Sequence, residues 1–268
     1  MPRDGGICLS MIRTILRSFV RPAIGDARRR VTNLLSRREQ VVAPVHSHQQ
    51  TSISIAGIPH PIRLRLASSD AKSMASCLLD LQYDFDLGFE PKTILDLGGN
   101  IGCSAIYFAN RWPKSSIYAV EPFRENYELL EINTAPYSNV RAARAAATCK
   151  PGPMSLVVPE AGFWGVQAIA SSPLTNPAAF VEGKTICGLM DDAGFERVDL
   201  LKMDIEGSEF GLFRENAAEW LRRTRVLVVE LHDWIRPGCS WYFERAIRDR
   251  QSRRMVIDEN VVVWLAEA

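Results

Sequence analysis

Short apolar segments alternate with segments of helical periodicity from residue 93 to the end of the chain. In the helical segments, apolar residues recur every three to four positions. The predicted strands are Thr93–Leu97, Ser116–Val120, Val140–Ala146, Val198–Met203 and Arg225–Leu231. The predicted helices lie near residues 102–111, 124–134, 208–221 and 238–250. This alternation predicts an α/β fold, a doubly wound and mostly parallel sheet with helices on both faces.

Shorter patterns flank this alternating region. Apolar and polar residues alternate over Gln50–Leu66 around a proline-bounded turn, which predicts two short antiparallel strands. A stretch rich in glycine and proline, Lys150–Thr185, separates the third and fourth strands. Further strand-like pieces are Met154–Val158, Val166–Ala170, Arg254–Ile257 and Val261–Leu265. The last two of these predict a hairpin that closes the sheet with antiparallel strands.

The amino-terminal region differs from the rest in charge. Residues 1–40 hold nine arginines against three acids, a net charge of +6, so the remaining chain carries −5 within the overall +1. Apolar residues at helical spacing over Ile7–Val20 predict an amphipathic basic helix. We favour a helix that packs on the domain or on a second subunit, with peripheral membrane contact through residues 7–38 as the alternative. Three parts result: a basic helical extension at 1–45, a hairpin and helix at 46–90, and the catalytic domain at 91–268.

Composition excludes several classes of protein. No run approaches the 18 to 20 apolar residues of a membrane-spanning helix, and the six cysteines form no C-x-x-C pair. The acidic body offers no basic face for nucleic acid. We therefore expect a cytoplasmic protein with reduced thiols that does not bind nucleic acid; its oligomeric state is left open.

A glycine turn follows the first core strand. Gly98, Gly99 and Gly102 allow a tight turn and close packing between strand and helix, with Asn100 between them, so a ligand is expected at the strand ends. The acidic Asp96 would repel a pyrophosphate but suits the positive groups of S-adenosylmethionine (SAM).

A second acidic residue supports the same cofactor. Glu121 ends the second strand, 25 positions after Asp96, and is expected to accept both ribose hydroxyls. Ala146, at the end of the third strand, is a further expected cofactor contact. Asn126 and Asn133 on the following helix are expected to be capping or surface residues.

Several motifs together resemble the FkbM family of SAM-dependent methyltransferases. They are Asp96-Leu-Gly-Gly-Asn-Ile-Gly102, Glu121-Pro122 with Asn126, Leu130 and Asn133, Leu201-Lys-Met-Asp204-Ile-Glu206-Gly207-Ser-Glu209, and Glu230-Leu-His232. The similarity covers about residues 90–235. It implies a Rossmann-like class I methyltransferase fold with an antiparallel final strand, and O-methylation of a sugar, glycolipid or polyketide hydroxyl.

Transfer to a hydroxyl requires a base. Asp204 ends the fourth strand and His232 follows the fifth, so both should open onto the crevice at the carboxyl ends of the strands. Histidine has the best-matched pKa near neutrality, so His232 is our predicted base, with Asp204 orienting it, positioning the acceptor or acting as the base itself. Glu209 is expected to cap a helix.

Other residues near this crevice are candidates for the acceptor side. They are Phe163, Trp164, Glu206 and Glu230. Asp204, Glu230 and His232 could instead hold a divalent metal ion, but we predict metal-free chemistry because no spaced ligand motif requires a metal. Two alternative functions remain at this point: an NAD-dependent oxidoreductase, which shares the fold and the ribose carboxylate, and a methyltransferase-like module that only binds.

Overall fold

The computed structural model describes residues 49–157, 167–170 and 180–266. The predicted extension at 1–45, the membrane contact through residues 7–38, and the acceptor candidates Phe163 and Trp164 lie outside the described residues, so they stay predictions. None of the helices within the described ranges is long and apolar enough to cross a bilayer.

A seven-stranded sheet forms the centre of the domain. Its strands are β3 (Thr93–Leu97), β4 (Ser116–Val120), β5 (Val140–Ala143), β10 (Val198–Met203), β11 (Thr224–Glu230), β12 (Gln251–Ile257) and β13 (Asn260–Leu265). Their order is β12-β13-β11-β10-β3-β4-β5. The five strands from β11 to β5 are parallel, and β13 and β12 are antiparallel. The predicted doubly wound fold with an antiparallel hairpin is therefore confirmed.

Two smaller sheets accompany it. A hairpin pairs β1 (Gln50–Ile53) with β2 (Ile62–Arg65), as its alternating pattern predicts. A second sheet, in the order β6-β9-β7-β8, contains β6 (Ala146–Ala147), β7 (Gly152–Val157), β8 (Gln167–Ala170) and β9 (Phe180–Lys184).

Helices cover both faces of the central sheet. They are α1 (Asp70–Met74), which continues as a π-helical turn over Ala75–Leu79, α2 (Cys103–Arg111), α3 (Arg124–Thr134), α4 (Ile186–Ala193), α5 (Glu209–Arg214), α6 (Ala217–Arg222) and α7 (Cys239–Ile247). Leu95 and Leu97 of β3 join one apolar cluster with α4, α5, α6 and α7. Asp96 lies between them and hydrogen-bonds Ser104 of α2. Because successive strand residues point to opposite faces, α2 lies on the other side of the sheet.

The structure divides two predicted elements and adds one helix that was not predicted. The predicted strand Val140–Ala146 is two strands in two different sheets, because the chain leaves the central sheet after Ala143. The predicted helix at 208–221 is divided by Asn216, whose positive φ of 60° interrupts it. Helix α4 was not predicted because it follows the irregular stretch directly; Thr185 caps it by accepting a hydrogen bond from Gly188 N.

Candidate active site

The parallel register gathers the site residues at one edge of the sheet. Leu97 pairs with Val120 and with Met203, and Met203 pairs with Val229. The next residue of each strand therefore lies directly beyond this row. Those residues are Gly98, Glu121, Asp204 and Glu230. Four separate segments thus form one site at the carboxyl ends of the strands.

Gly98 is the tightest point of the turn after β3. Its φ is +79°, and a Cβ placed there would lie 1.8 Å from the backbone oxygen of Asp204. The backbone N–H groups of Gly98 and Gly99 both donate to Val120 O at 3.0 Å. Only glycine fits this position, because the turn is pressed between the ends of β4 and β10.

The other two glycines face a helix. A Cβ on Gly99 would lie 3.3 Å from Leu130 Cδ2, and one on Gly102 would lie 3.1 Å from Leu130 Cδ1. Their small size allows α3 to pack closely against the turn. The structure thus places Gly98 at the ligand side of the turn and gives Gly99 and Gly102 a packing role.

Glu121 is a buried carboxylate held by backbone amides. Oε2 accepts from Asn100 N at 2.8 Å, and Oε1 accepts from Phe123 N at 3.0 Å. Asn126 Nδ2 lies 3.4 Å from Oε1. Burial raises the pKa of Glu121 to about 7, although these hydrogen bonds favour the charged form. Since Glu121 is only 4% exposed, its position is defined before any ligand binds.

A cavity opens between the glycine turn and Glu121. Of the predicted site residues, those that line it are Gly98, Asn100, Glu121, Ala146, Asp204 and Glu206. Asn100 Oδ1 is buried here and accepts no hydrogen bond from any residue that the structure describes. This buried oxygen without a donor suits a ligand that brings a hydrogen-bond donor.

Asp96 occupies a different position from the one that we expected. It is fully buried and does not line the cavity. Oδ2 accepts a hydrogen bond from Ser104 Oγ, and Oδ1 lies 3.2 Å from Lys202 Nζ. Its side chain points to the α2 face of β3, where the carboxylate neutralises a buried lysine. The expected direct contact of Asp96 with the cofactor stays a prediction.

Lys202 lies between the glycine turn and Asp204. Its ammonium donates to Gly98 O at 2.7 Å and to Leu97 O at 3.2 Å, and it lies 3.9 Å from Asp204 Oδ2. Burial disfavours the charge, but the carboxylates of Asp96 and Asp204 outweigh it and raise the pKa of Lys202 above its usual value. Lys202 therefore stays charged and braces the turn.

Glu209 orients His232. The carboxylate is fully buried, and its two oxygens accept from Ile205 N at 2.8 Å and from Gly207 N at 2.7 Å. Oε1 also lies 3.1 Å from His232 Nδ1. The two backbone donors favour the ionised form of Glu209, and an ionised carboxylate only accepts hydrogen bonds. His232 Nδ1 is therefore the donor in this contact. Nε2 is thereby directed away from Glu209, as the base of a catalytic triad is directed by its acidic partner.

Three more carboxylates surround His232 Nε2. Asp204 Oδ1 lies at 3.7 Å, and Glu206 Oε2 and Glu230 Oε1 lie at 3.6 Å. Burial favours the neutral imidazole, but Glu209, Asp204 and Glu206 outweigh it and raise the pKa of His232 to about 9. The imidazole is therefore held as a cation at neutral pH.

Two of these carboxylates are also perturbed. Burial, with the charge of Asp204, raises the pKa of Glu206 to about 8 and that of Glu230 to about 7. Ligand atoms of Asp204, Glu230 and His232 lie within 4.8 Å of one another, which brings together the three residues of the alternative metal site. The cluster concentrates titratable groups next to a cavity, as catalytic sites do.

A model of the methyltransferase FkbM domain matches residues 96–250, more than half of the chain. The chain belongs to the FkbM methyltransferase family. The matched range contains the glycine turn, Glu121 and the entire His232 cluster. The resemblance expected from the motifs is confirmed, and membership of a methyltransferase family argues against the oxidoreductase alternative.

Curated relatives of this FkbM methyltransferase carry methyltransferase names. The methyltransferase sdnD of Sordaria araneosa is 27% identical over 188 residues, which cover 59% of this chain and 72% of that protein. The 2-O-methyltransferase NoeI of Sinorhizobium fredii is 24% identical over 154 residues, which cover 52% of this chain and 63% of that protein.

Among solved structures, a putative O-methyltransferase from Klebsiella pneumoniae is 12% identical, with a TM-score of 0.41 over 95% of each chain. The N-terminal domain of EvdMO1 with S-adenosylhomocysteine (SAH) bound is 15% identical, with a TM-score of 0.43 over 90% of this chain and 96% of that chain.

Sequence reasoning missed two features of the FkbM methyltransferase site. Lys202 had a visible signal, a lysine inside the apolar strand Val198–Met203. Asn126 and Asn133 belong to the motif that begins at Glu121, but helix periodicity does not show which polar residues a neighbouring hairpin covers. The structure buries both asparagines, 2% and 3% exposed, so their expected surface role was wrong. Glu209 binds the turn before α5, as a capping residue would, and in addition contacts His232.

Proposed function

We propose that this FkbM methyltransferase transfers the methyl group of SAM to a hydroxyl group of a small acceptor such as a sugar, a glycolipid or a polyketide. The proposal rests on two neighbouring features that share Asp204. Asp204 lines a cavity that contains the buried carboxylate of Glu121, and it also lies next to His232. The name of NoeI, a 2-O-methyltransferase, agrees with a hydroxyl acceptor.

SAM fits the residues that line the cavity. Bound there, it supplies a methyl group activated by the positive sulfonium. Glu121 accepts the two ribose hydroxyls, because its oxygens are aimed by the amides of Asn100 and Phe123. Gly98 lets the backbone approach the ligand closely, and Asp204 provides negative charge on the side of the cavity nearest His232.

The acceptor hydroxyl lies between the cavity and His232. In its neutral form, His232 takes the hydroxyl proton at Nε2 while Glu209 keeps the Nδ1 proton in place. Asp204 lines the cavity and lies 3.7 Å from Nε2, so it positions the hydroxyl. Trp234 is 70% exposed and its ring centre lies 5.9 Å from that of His232, so it offers a flat apolar surface for the rest of the acceptor.

The role of Asp204, Glu230 and His232 in a metal site stays an alternative. In the proposed chemistry, the carboxylates stabilise the imidazolium that forms when His232 takes the proton. The same charge cluster therefore serves proton transfer without a metal ion.

Cofactor binding is the first test. Isothermal calorimetry with SAM, SAH and NAD should show micromolar binding of SAM and SAH and none of NAD. Glu121→Ala should weaken SAH binding by at least about tenfold, since charge-assisted hydrogen bonds contribute roughly 1.5–3 kcal/mol. Glu128→Ala, at a carboxylate 54% exposed on helix α3, is the control and should leave the affinity unchanged. Binding of NAD alone would contradict the proposal.

The pH dependence tests the base. Because neutral His232 is the active form, the rate should rise with pH through about 9. Glu206→Gln removes a negative charge 3.6 Å from Nε2, so it lowers the pKa of His232 and moves the rise to lower pH. Because burial raises the pKa of Glu206 to about 8, this carboxylate is charged only above that pH, so the two profiles should separate above pH 8 and converge below it. Glu128→Gln should leave the profile unchanged, and a rate that falls as pH rises through 9 would exclude His232 as the base.

A further inference from the structure

A buried arginine lies behind the cofactor cavity, outside the residues matched by the FkbM family. Arg65, at the end of β2, is 5% exposed, and Asp70 of α1 is fully buried. The guanidinium donates from Nε to Asp70 Oδ2 at 2.9 Å and from Nη2 to Asp70 Oδ1 at 2.7 Å. This bidentate pair fixes the guanidinium plane.

The same guanidinium also contacts Asn126, a residue that lines the cofactor cavity. Arg65 Nη2 donates to Asn126 Oδ1 at 2.6 Å, and Asn126 Nδ2 lies 3.4 Å from Glu121 Oε1. An amide has an accepting oxygen at one end and a donating NH2 group at the other. Because Arg65 binds the oxygen, the NH2 group is the end that faces Glu121.

We propose that Arg65 is a positioning residue of the cofactor site, which acts through Asn126 to hold the Glu121 carboxylate in the position that receives the ribose. The inference rests on the proposed function, since it assumes that Glu121 binds the cofactor. It makes the amino-terminal hairpin a part of the cofactor site. The fold alone does not require this link, because Asn133 already joins the same hairpin to α3 through Arg63 N at 2.8 Å and Arg63 O at 2.9 Å.

Arg65 fixes the orientation of the Asn126 side-chain amide. Without the guanidinium, Asn126 can rotate and present its oxygen to Glu121, where two acceptors repel each other. Glu121 then loses one of its donors and gains freedom to move. The cost to cofactor binding should be about fivefold to tenfold, less than the roughly tenfold to hundredfold of a hydrogen bond to a charged group lost outright.

A double-mutant cycle on the full chain tests the link. SAH affinity is measured by calorimetry for the unaltered protein, Arg65→Lys, Glu121→Gln and the double variant, and thermal unfolding verifies that each is folded. Lysine keeps a positive charge for Asp70 but lacks the second nitrogen that reaches Asn126. Asn126→Ala cuts the same link while leaving the Arg65–Asp70 pair in place, so it serves as a second variant if Arg65→Lys does not fold. His60→Ala is the matched control, because His60 of the same hairpin packs against Tyr137 and does not line the cofactor cavity.

The inference predicts non-additivity. Arg65→Lys and Asn126→Ala should each weaken SAH binding about fivefold to tenfold, but the double variant should bind no more weakly than Glu121→Gln alone. His60→Ala should stay within about twofold of the unaltered protein. Equal losses in His60→Ala and Arg65→Lys, or full additivity with Glu121→Gln, would overturn the inference and leave Arg65 with a purely structural role. Absence of SAH binding to the unaltered protein would instead overturn the proposed function, and the inference with it.

Discussion

Replacing His232 by alanine is expected to lower the rate of methyl transfer by about 10²- to 10⁴-fold, the usual contribution of a general base. The base is lost, and the rise of the rate through pH 9 should disappear with it. The rate is measured as transfer of label from methyl-labelled SAM to an acceptor identified by screening hydroxylated sugars and polyketides. SAH affinity should stay within about twofold, because His232 does not line the cofactor cavity.

Two controls separate chemistry from stability in this experiment. His60→Ala changes a histidine of the hairpin turn that packs edge-on against Tyr137, with ring centres 5.3 Å apart, and should keep the full rate. Thermal unfolding of His232→Ala reports the cost of leaving Glu209 buried without its imidazole. A folded, SAH-binding variant that keeps its rate within a few-fold would assign the base to another residue, with Asp204 as the first candidate.

Replacing Gly98 by alanine is expected to destabilise the domain by more than about 4 kcal/mol and to abolish SAH binding. The added Cβ would lie 1.8 Å from Asp204 O. This is a backbone atom, so it cannot move without displacing Asp204 itself. Gly88→Ala is the matched control, since Gly88 has a similar φ of +82° with nothing within 4 Å. It should cost only about 1–2 kcal/mol for the left-handed backbone.

Denaturant unfolding and SAH calorimetry of the two glycine variants give the comparison. If the two substitutions cost the same, backbone strain alone accounts for the effect, and the contact between the glycine turn and Asp204 is not tight. A large difference would identify the close approach of two chain segments as the reason for glycine at position 98.

Much of the central sheet was predictable because its signal is local. The strands Thr93–Leu97 and Ser116–Val120 have the bounds that their apolar patterns predict, since a buried parallel strand is apolar on both faces. The gathering of Glu121, Asp204 and Glu230 also followed from topology, because parallel strands present their carboxyl ends at one edge. Val140–Ala146 was wrong because an apolar run does not show at which residue the chain changes sheets.

Side-chain direction and charge were decided only by the tertiary structure. Asp96 and Glu121 look equivalent in the sequence, as acids at the ends of neighbouring strands. Asp96 points to the face where Lys202 and Ser104 meet it, whereas Glu121 lies beyond the register row and lines the cavity. Asp96 pairs with Ala119, two residues before Glu121, so Asp96 lies within the sheet and Glu121 lies just past its edge. The apolar pattern does not show this pairing register, so it could not distinguish the two roles.

For His232, too, the sequence determined the position and the tertiary structure determined the protonation. Its place after the fifth strand, and therefore its candidacy as a base, can be read from the order of residues along the chain. That it is a cation at neutral pH depends on the carboxylates of Glu209, Asp204 and Glu206, which meet around one imidazole and raise its pKa. Local sequence determined the strands, the glycine turn and the identity of the chemical groups, because these depend on neighbouring residues. Distances and burial, which set pKa values and contacts, arise only when distant segments pack together.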